Sequence, residues 1–157
     1  MDFWHEKNMQ LEQLMPLIEA QLRQGKCIRY SPKGISMLPM IRQGIDSVVL
    51  SPVPERLQKY DLPLYRRASG GYVLHRVVAV GECYTCIGDN QLEYEYGVTH
   101  AQMIALVTAF YRGGKRYEIT NRGYRLYCSF WHNTRGFRKL WRRGIRWIKR
   151  QMRKLFP

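Results

Sequence analysis

At 157 residues the chain has room for one domain with its own hydrophobic core and a short appendage. Apolar residues make up 45% and aromatic residues 13%, which excludes wholesale disorder. The net charge of +14 sits in the last third: residues 1–111 hold eleven Lys/Arg against eleven Asp/Glu, whereas residues 112–157 hold fifteen Lys/Arg against Glu118 alone.

Residues 4–24 predict a helix. Met9, Leu11, Leu14, Met15, Ile18 and Leu22 recur at three- and four-residue steps, and Gly25 is a stop. A short strand follows at 27–30. The stretch "DSVVLSPV" (46–53) reads as a strand ended by Pro52 and Pro54, and "DLPLYRR" (61–67) as another, weakened at its start by Pro63. "YVLHRVVAV" (72–80) predicts one β-strand, and Gly81-Glu82 turns it into "CYTCIGD" (83–89). "MIALVTAFYR" (103–112) is a strand by its position after a β-rich region, and "KRYEIT" (115–120) closes a last hairpin. The fold class expected is therefore mainly β (α+β). It divides into an N-terminal helix (1–25), a body (26–120) and a basic tail (121–157).

On a helical wheel the tail residues 137–156 segregate. Phe137, Leu140, Trp141, Ile145, Trp147, Ile148, Met152, Leu155 and Phe156 lie in the apolar half, and nine Lys/Arg fill the other. Such a helix fits the plane of an anionic membrane surface, which adds about 1 kcal/mol per basic residue at most. A solvated or core-docked helix is the plainer alternative. Nucleic acid is disfavoured, because phosphate contacts need no wide apolar face.

Cys27, Cys83, Cys86 and Cys128 are too few for a disulfide framework, and the N-terminus carries no basic, then apolar, secretory pattern. The longest uncharged, mostly apolar run, residues 101–111, is about half of what a spanning helix needs. A cytoplasmic protein, peripheral at the inner membrane face if the tail binds there, is expected. Cys83-x-x-Cys86 has metal-like spacing but no second pair, so structural thiols and no metal or cofactor are expected.

Candidate chemistry begins at "KGISMLPM", residues 33–40, where Ser36 lies between Gly34 and Pro39. A serine hydroxyl needs a base before it attacks. His75 lies mid-run in "VLHRVV", where a rigid strand can aim an imidazole whose ordinary pKa suits neutral pH. Alternation puts His75, Val77 and Ala79 on one strand face, with Arg76 and Val78 on the other. Asp89 of "IGDN" lies just beyond the partner strand and is a candidate to orient the imidazole, although Gly-Asp-Asn is also good loop chemistry. Lys33 is too close to Ser36 in the same turn to serve as base, and Lys59 lies in a loop before Asp61. Arg76 reads most simply as a salt-bridge partner for an acid.

Taken in order, "GISMLPMIRQG", "DLPLYRR", "YVLHRVVAV" and "IGDN" resemble the S24/S26 peptidase superfamily, the signal-peptidase and LexA-like serine peptidases, over residues 26–112. The resemblance implies a signal-peptidase/LexA-like β-fold core. It also implies a nucleophile box in which Ser36 is the nucleophile and Met37 and Pro39 are box residues. "HRVV" stands where bacterial signal peptidases carry Lys-Arg, and so resembles the archaeal and endoplasmic-reticulum branch, with His75 as base. That branch has an Asp in its Gly-Asp-Asn box, here Asp89, and a second Asp six residues on, here Glu95. Either could orient His75.

Three features depart from the pattern. Gly34 replaces a small hydroxyl residue, which leaves the oxyanion to backbone N–H groups such as that of Ser36. Ile45 is inserted between Gly44 and Asp46. An amphipathic helix stands where signal peptidases have a transmembrane anchor. The expectation is a serine endopeptidase acting on a peptide, leader or signal-like segment bound as an added strand. The alternative is a peptidase-like binding or regulatory module, for peptide, partner or DNA, without turnover.

Overall fold

The computed structural model describes residues 11–138 and, beyond them, residues 140, 141, 144, 145 and 152. Helix α1 spans Leu11–Arg23 and buries Met15, Ile18 and Leu22, the stripe its three- and four-residue spacing dictates. Residues 4–10 of the expected helix lie outside the described residues.

Among the described residues nine strands follow, all paired antiparallel, in two sheets. The larger sheet has the order β1 (Ile28–Tyr30), β2 (Ser47–Ser51), β8 (Met103–Arg112), β3 (Pro63–Arg66), β4 (Tyr72–Leu74), with β9 (Lys115–Glu118) also on β8. The smaller one is β5 (Arg76–Val80), β6 (Tyr84–Ile87), β7 (Glu95–Val98). Period-two alternation gives the larger sheet two packed sides. Leu64 and Val107 join α1, Val48 and Leu50 in one apolar cluster. Their neighbours Tyr65 and Leu106 meet Val77, Tyr84 and Cys86 of the smaller sheet in another.

Residues 72–80 form two strands rather than the single one expected. The chain leaves the larger sheet after Leu74 and enters the smaller one at Arg76, so His75 is the corner between sheets. Its N–H still donates to Pro63 O at 3.3 Å, and the Val77 N–H to Asp61 O at 2.9 Å, which fixes the corner against the start of β3. The expected alternation also fails. The pairing slips between Val77 and Ala79, and Val77 and Val78 are both buried while Ala79 is exposed. Strand β7 was not anticipated, because "EYGV" carries little apolar pattern.

The tail begins earlier than its wheel suggests. Helix α2, Arg122–Asn133, starts at an Asn121 cap whose side chain accepts from the Gly123 N–H. It buries Tyr124 and Cys128 on the body. Of the expected apolar half, Phe137, Leu140, Trp141, Ile145 and Met152 are helical and exposed. Trp147, Ile148, Leu155 and Phe156 lie outside the described residues. No helix among the described residues is long and apolar enough to cross a membrane.

Candidate active site

The Ser36 turn is held from three sides. The Asn90 N–H donates to Ser36 O at 2.8 Å, and Asn90 Nδ2 donates to Ile35 O at 3.1 Å. Arg112 Nη2 donates to Pro39 O at 3.0 Å and also to Met40 O. Met37 is buried in the main core, so the box is anchored by its own methionine. Gly34 explains the departure at its position. Its φ is +99°, a backbone region that L-residues rarely adopt, and its N–H donates to Gln43 Oε1 at 2.6 Å. Among the described residues the Ser36 N–H makes no hydrogen bond to a backbone carbonyl. An oxyanion site requires amides of this kind that remain available to donate.

Each residue of Gly-Asp-Asn has a separate job. Gly88 lets the two loops touch, since a Cβ there would stand 2.7 Å from Ser36 O and 3.1 Å from Ser36 Cβ. Asn90 supplies the two hydrogen bonds to the turn. Asp89 does not hydrogen-bond to His75. It takes both forks of Arg76, Nε to Oδ1 at 2.8 Å and Nη2 to Oδ2 at 2.7 Å, in a fully buried pair. Arg76 further donates to Tyr60 O at 3.2 Å and Tyr124 OH at 2.6 Å. Burial works against the Arg76 charge, but Tyr124 and Asp89 outweigh it and keep the guanidinium firmly protonated.

The carboxylate at His75 is Glu95. Pairing of Cys86 with Glu95 across β6 and β7, and of Val77 with Cys86 across β5 and β6, carries Glu95 over to the corner. Its Oε1 lies 3.1 Å from His75 Nδ1. Tyr65 OH donates to Glu95 Oε2 at 2.8 Å and stands 3.4 Å from His75 Nδ1. Arg67 Nε donates to both Glu95 oxygens at 3.1 Å, and its Nη2 also reaches Oε1. Burial raises the Glu95 carboxyl, but hydrogen bonds from Arg67 and Tyr65 outweigh it and leave it below the usual range. Burial pushes the His75 imidazole down to about 4, against the pull of Glu95. The imidazole is therefore neutral at pH 7. With the Nδ1–H donating to Glu95 Oε1, the lone pair is on Nε2, the form a general base needs.

Ser36 and His75 lie at the same end of one ladder. Gly88, against Ser36, follows Ile87, which pairs with Arg76 next to His75. Among the described residues no hydrogen bond joins the Ser36 hydroxyl to His75. An open cavity of about 510 Å³, lined by Tyr65, Arg67, Glu95, Tyr96 and Gln102, reaches the Glu95 carboxylate, whereas Ser36 and His75 do not line it.

The sequence reading missed Tyr65, Arg67, Arg112 and Asn90. Arg67 and Asn90 stand inside the quoted motifs "DLPLYRR" and "IGDN", so the motifs carried the signal. Nothing local marks Arg112, whose partners are 73 and 72 residues away. Cys83 is exposed in the bend that precedes β6, and Cys86 is buried within that strand. No family model matches the chain, and neither a curated protein nor a solved structure matches it.

Proposed function

We propose that the chain is a serine endopeptidase of the S24/S26 kind, with Ser36 as nucleophile, His75 as general base and Glu95 as the group that orients the imidazole. The observation that carries the reading is the buried His75 Nδ1 to Glu95 Oε1 contact of 3.1 Å, beside a serine turn pinned to the neighbouring loop. Ser36 Oγ attacks the scissile carbonyl carbon while its proton passes to His75 Nε2. The C–N bond then breaks and the leaving amine takes that proton. Water repeats the sequence on the acyl-serine and releases the acid. Backbone N–H groups of the turn stabilise the oxyanion, a contribution that elsewhere is worth about 10²–10³ in rate for one donor.

The substrate class is an extended peptide, leader or signal-like segment. The basic tail gives the reaction a place, the anionic inner surface of a membrane, by apolar insertion and charge. No metal or cofactor is needed for these steps. A signal-peptidase/LexA-like core is the finer form of the fold that goes with this reading.

One observation favours a second reading. The Ser36 hydroxyl makes no hydrogen bond to His75 among the described residues, as suits a peptide-binding module without turnover. Apo sites of this kind often tighten only on binding. Cleavage of a leader peptide by the wild-type chain, lost in Ser36→Ala, supports the enzyme; binding without cleavage, unchanged in Ser36→Ala, supports the module.

A further inference from the structure

Helix α2 and the helical residues after it present two opposite faces. One is built into the site. Trp131 Nε1 donates to Asp89 O at 2.9 Å. The buried Arg135 donates through Nη2 to Gly88 O at 2.9 Å and also to Gln91 O. These carbonyls belong to the 88–91 loop, whose Asn90 holds the Ser36 turn. The helix therefore grips the loop that grips the nucleophile.

The other face is apolar and bare. Leu126 and Phe130 of α2, and Phe137 and Trp141 beyond its Thr134 cap, form an apolar stripe in two segments by their four-residue spacing and are between 63% and 71% exposed. Helix α2 ends at the Thr134 cap, which is out of helical shape at φ −82° and ψ 4°, and two backbone hydrogen bonds span that break. The Thr134 N–H donates to Phe130 O at 3.0 Å and the Arg138 N–H to Thr134 O at 3.1 Å. Exposed apolar surface of this kind, here in two segments on either side of Thr134, marks an interaction site. Residues 112–157 carry fifteen basic residues and one acid, so the cover that matches both apolarity and charge is an anionic bilayer.

We propose that docking of this stripe on an anionic bilayer is coupled, through Trp131 and Arg135, to the geometry of the Ser36 turn, so that the bilayer activates the site as well as locating it. The proposal rests on the peptidase reading for its catalytic consequence. Its physical basis is that Phe130 and Phe137 lie on either side of Thr134. Seating both in one plane holds the two segments straight and fixes Arg135 against Gly88 and Gln91. The bilayer thus has a differential interaction with the held state of the loop, as any such shift requires. Trp131 and Arg135 are positioning residues, since they act through the loop.

The test uses the full chain with vesicles of phosphatidylcholine, with and without phosphatidylglycerol. Flotation measures binding, amide exchange at Asn90 and Gln91 reports the loop, and peptide cleavage gives kcat and KM. Anionic vesicles should slow exchange at both amides and raise kcat by about tenfold, a usual size for coupling between sites, with KM little changed. Arg135→Gln should still float with the vesicles but lose both effects, and Arg135→Lys should regain part of them. Phe137→Ser/Trp141→Ser should lose flotation and both effects together. Flotation without any change in exchange, or an Arg135→Gln protein stimulated as much as wild type, overturns the coupling. Equal binding to neutral vesicles, or none, overturns the bilayer as the cover. If the wild-type chain cuts no peptide under any condition the peptidase reading fails, and the exchange data still decide the coupling.

Discussion

Glu95 Oε1 stands 3.1 Å from His75 Nδ1, while Asp89, the acid of the Gly-Asp-Asn box, is engaged with Arg76. Two acids that the sequence leaves equivalent are thereby divided into one that faces the imidazole and one that holds the core. Glu95→Gln keeps the shape but lets the side-chain amide favour the wrong imidazole tautomer. It should lower kcat by about 10²–10⁴, by analogy with serine triads, and leave the urea midpoint nearly unchanged. Peptide-cleavage kinetics beside a denaturation curve check both halves.

Asp89→Ala should act in the opposite way. It strands the fully buried Arg76 charge, and breaking such a pair costs about 3–5 kcal/mol. Urea denaturation should show that loss as a lower midpoint with an unchanged slope. Arg76→Met/Asp89→Leu, which removes both charges, should recover much of the stability.

The pH dependence has a definite sign. The folded His75 titrates near 4, pushed down by burial, against 6.5 for an unperturbed imidazole. Between these values the unfolded chain binds the extra proton, so stability falls as pH drops from about 6.5 to about 4. His75→Gln should lose less stability over that interval, measured by urea midpoints at its two ends. In cleavage assays kcat/KM should hold level from neutrality down to about pH 5 and then fall with the apparent pKa of His75.

Gly88 tests the contact between loops. In Gly88→Ala the added Cβ must displace the Ser36 backbone, because it would meet Ser36 O at 2.7 Å. A displacement of about 1 Å at a reacting group costs roughly 10²-fold in rate. Cleavage should fall by that order, while far-ultraviolet circular dichroism stays as in the wild type.

The sequence was most legible where one local pattern acts alone. The spacing of Met15, Ile18 and Leu22 foretold α1, and the turn at Gly81-Glu82 foretold the β5–β6 hairpin that returns Ile87 to Arg76. The corner at His75 was not legible, because the residues around it have strand propensity whether or not the chain changes sheets. Glu95 was only one of two acids, since its distance from His75 depends on a strand whose sequence, "EYGV", hardly announces itself. The grip of Arg135 on Gly88 spans 47 residues, beyond the reach of any periodicity.

The central claim is that Ser36 is a nucleophile activated by His75. The most direct measurement is covalent labelling by a serine-reactive phosphonate, with the modified residue located by mass spectrometry. The account predicts one adduct, on Ser36, formed at least 10²-fold more slowly in His75→Ala, in line with the loss of a general base, and absent in Ser36→Ala. Cleavage of a leader peptide that continues undiminished in both Ser36→Ala and His75→Ala, with no adduct on Ser36 in the wild type, would contradict it.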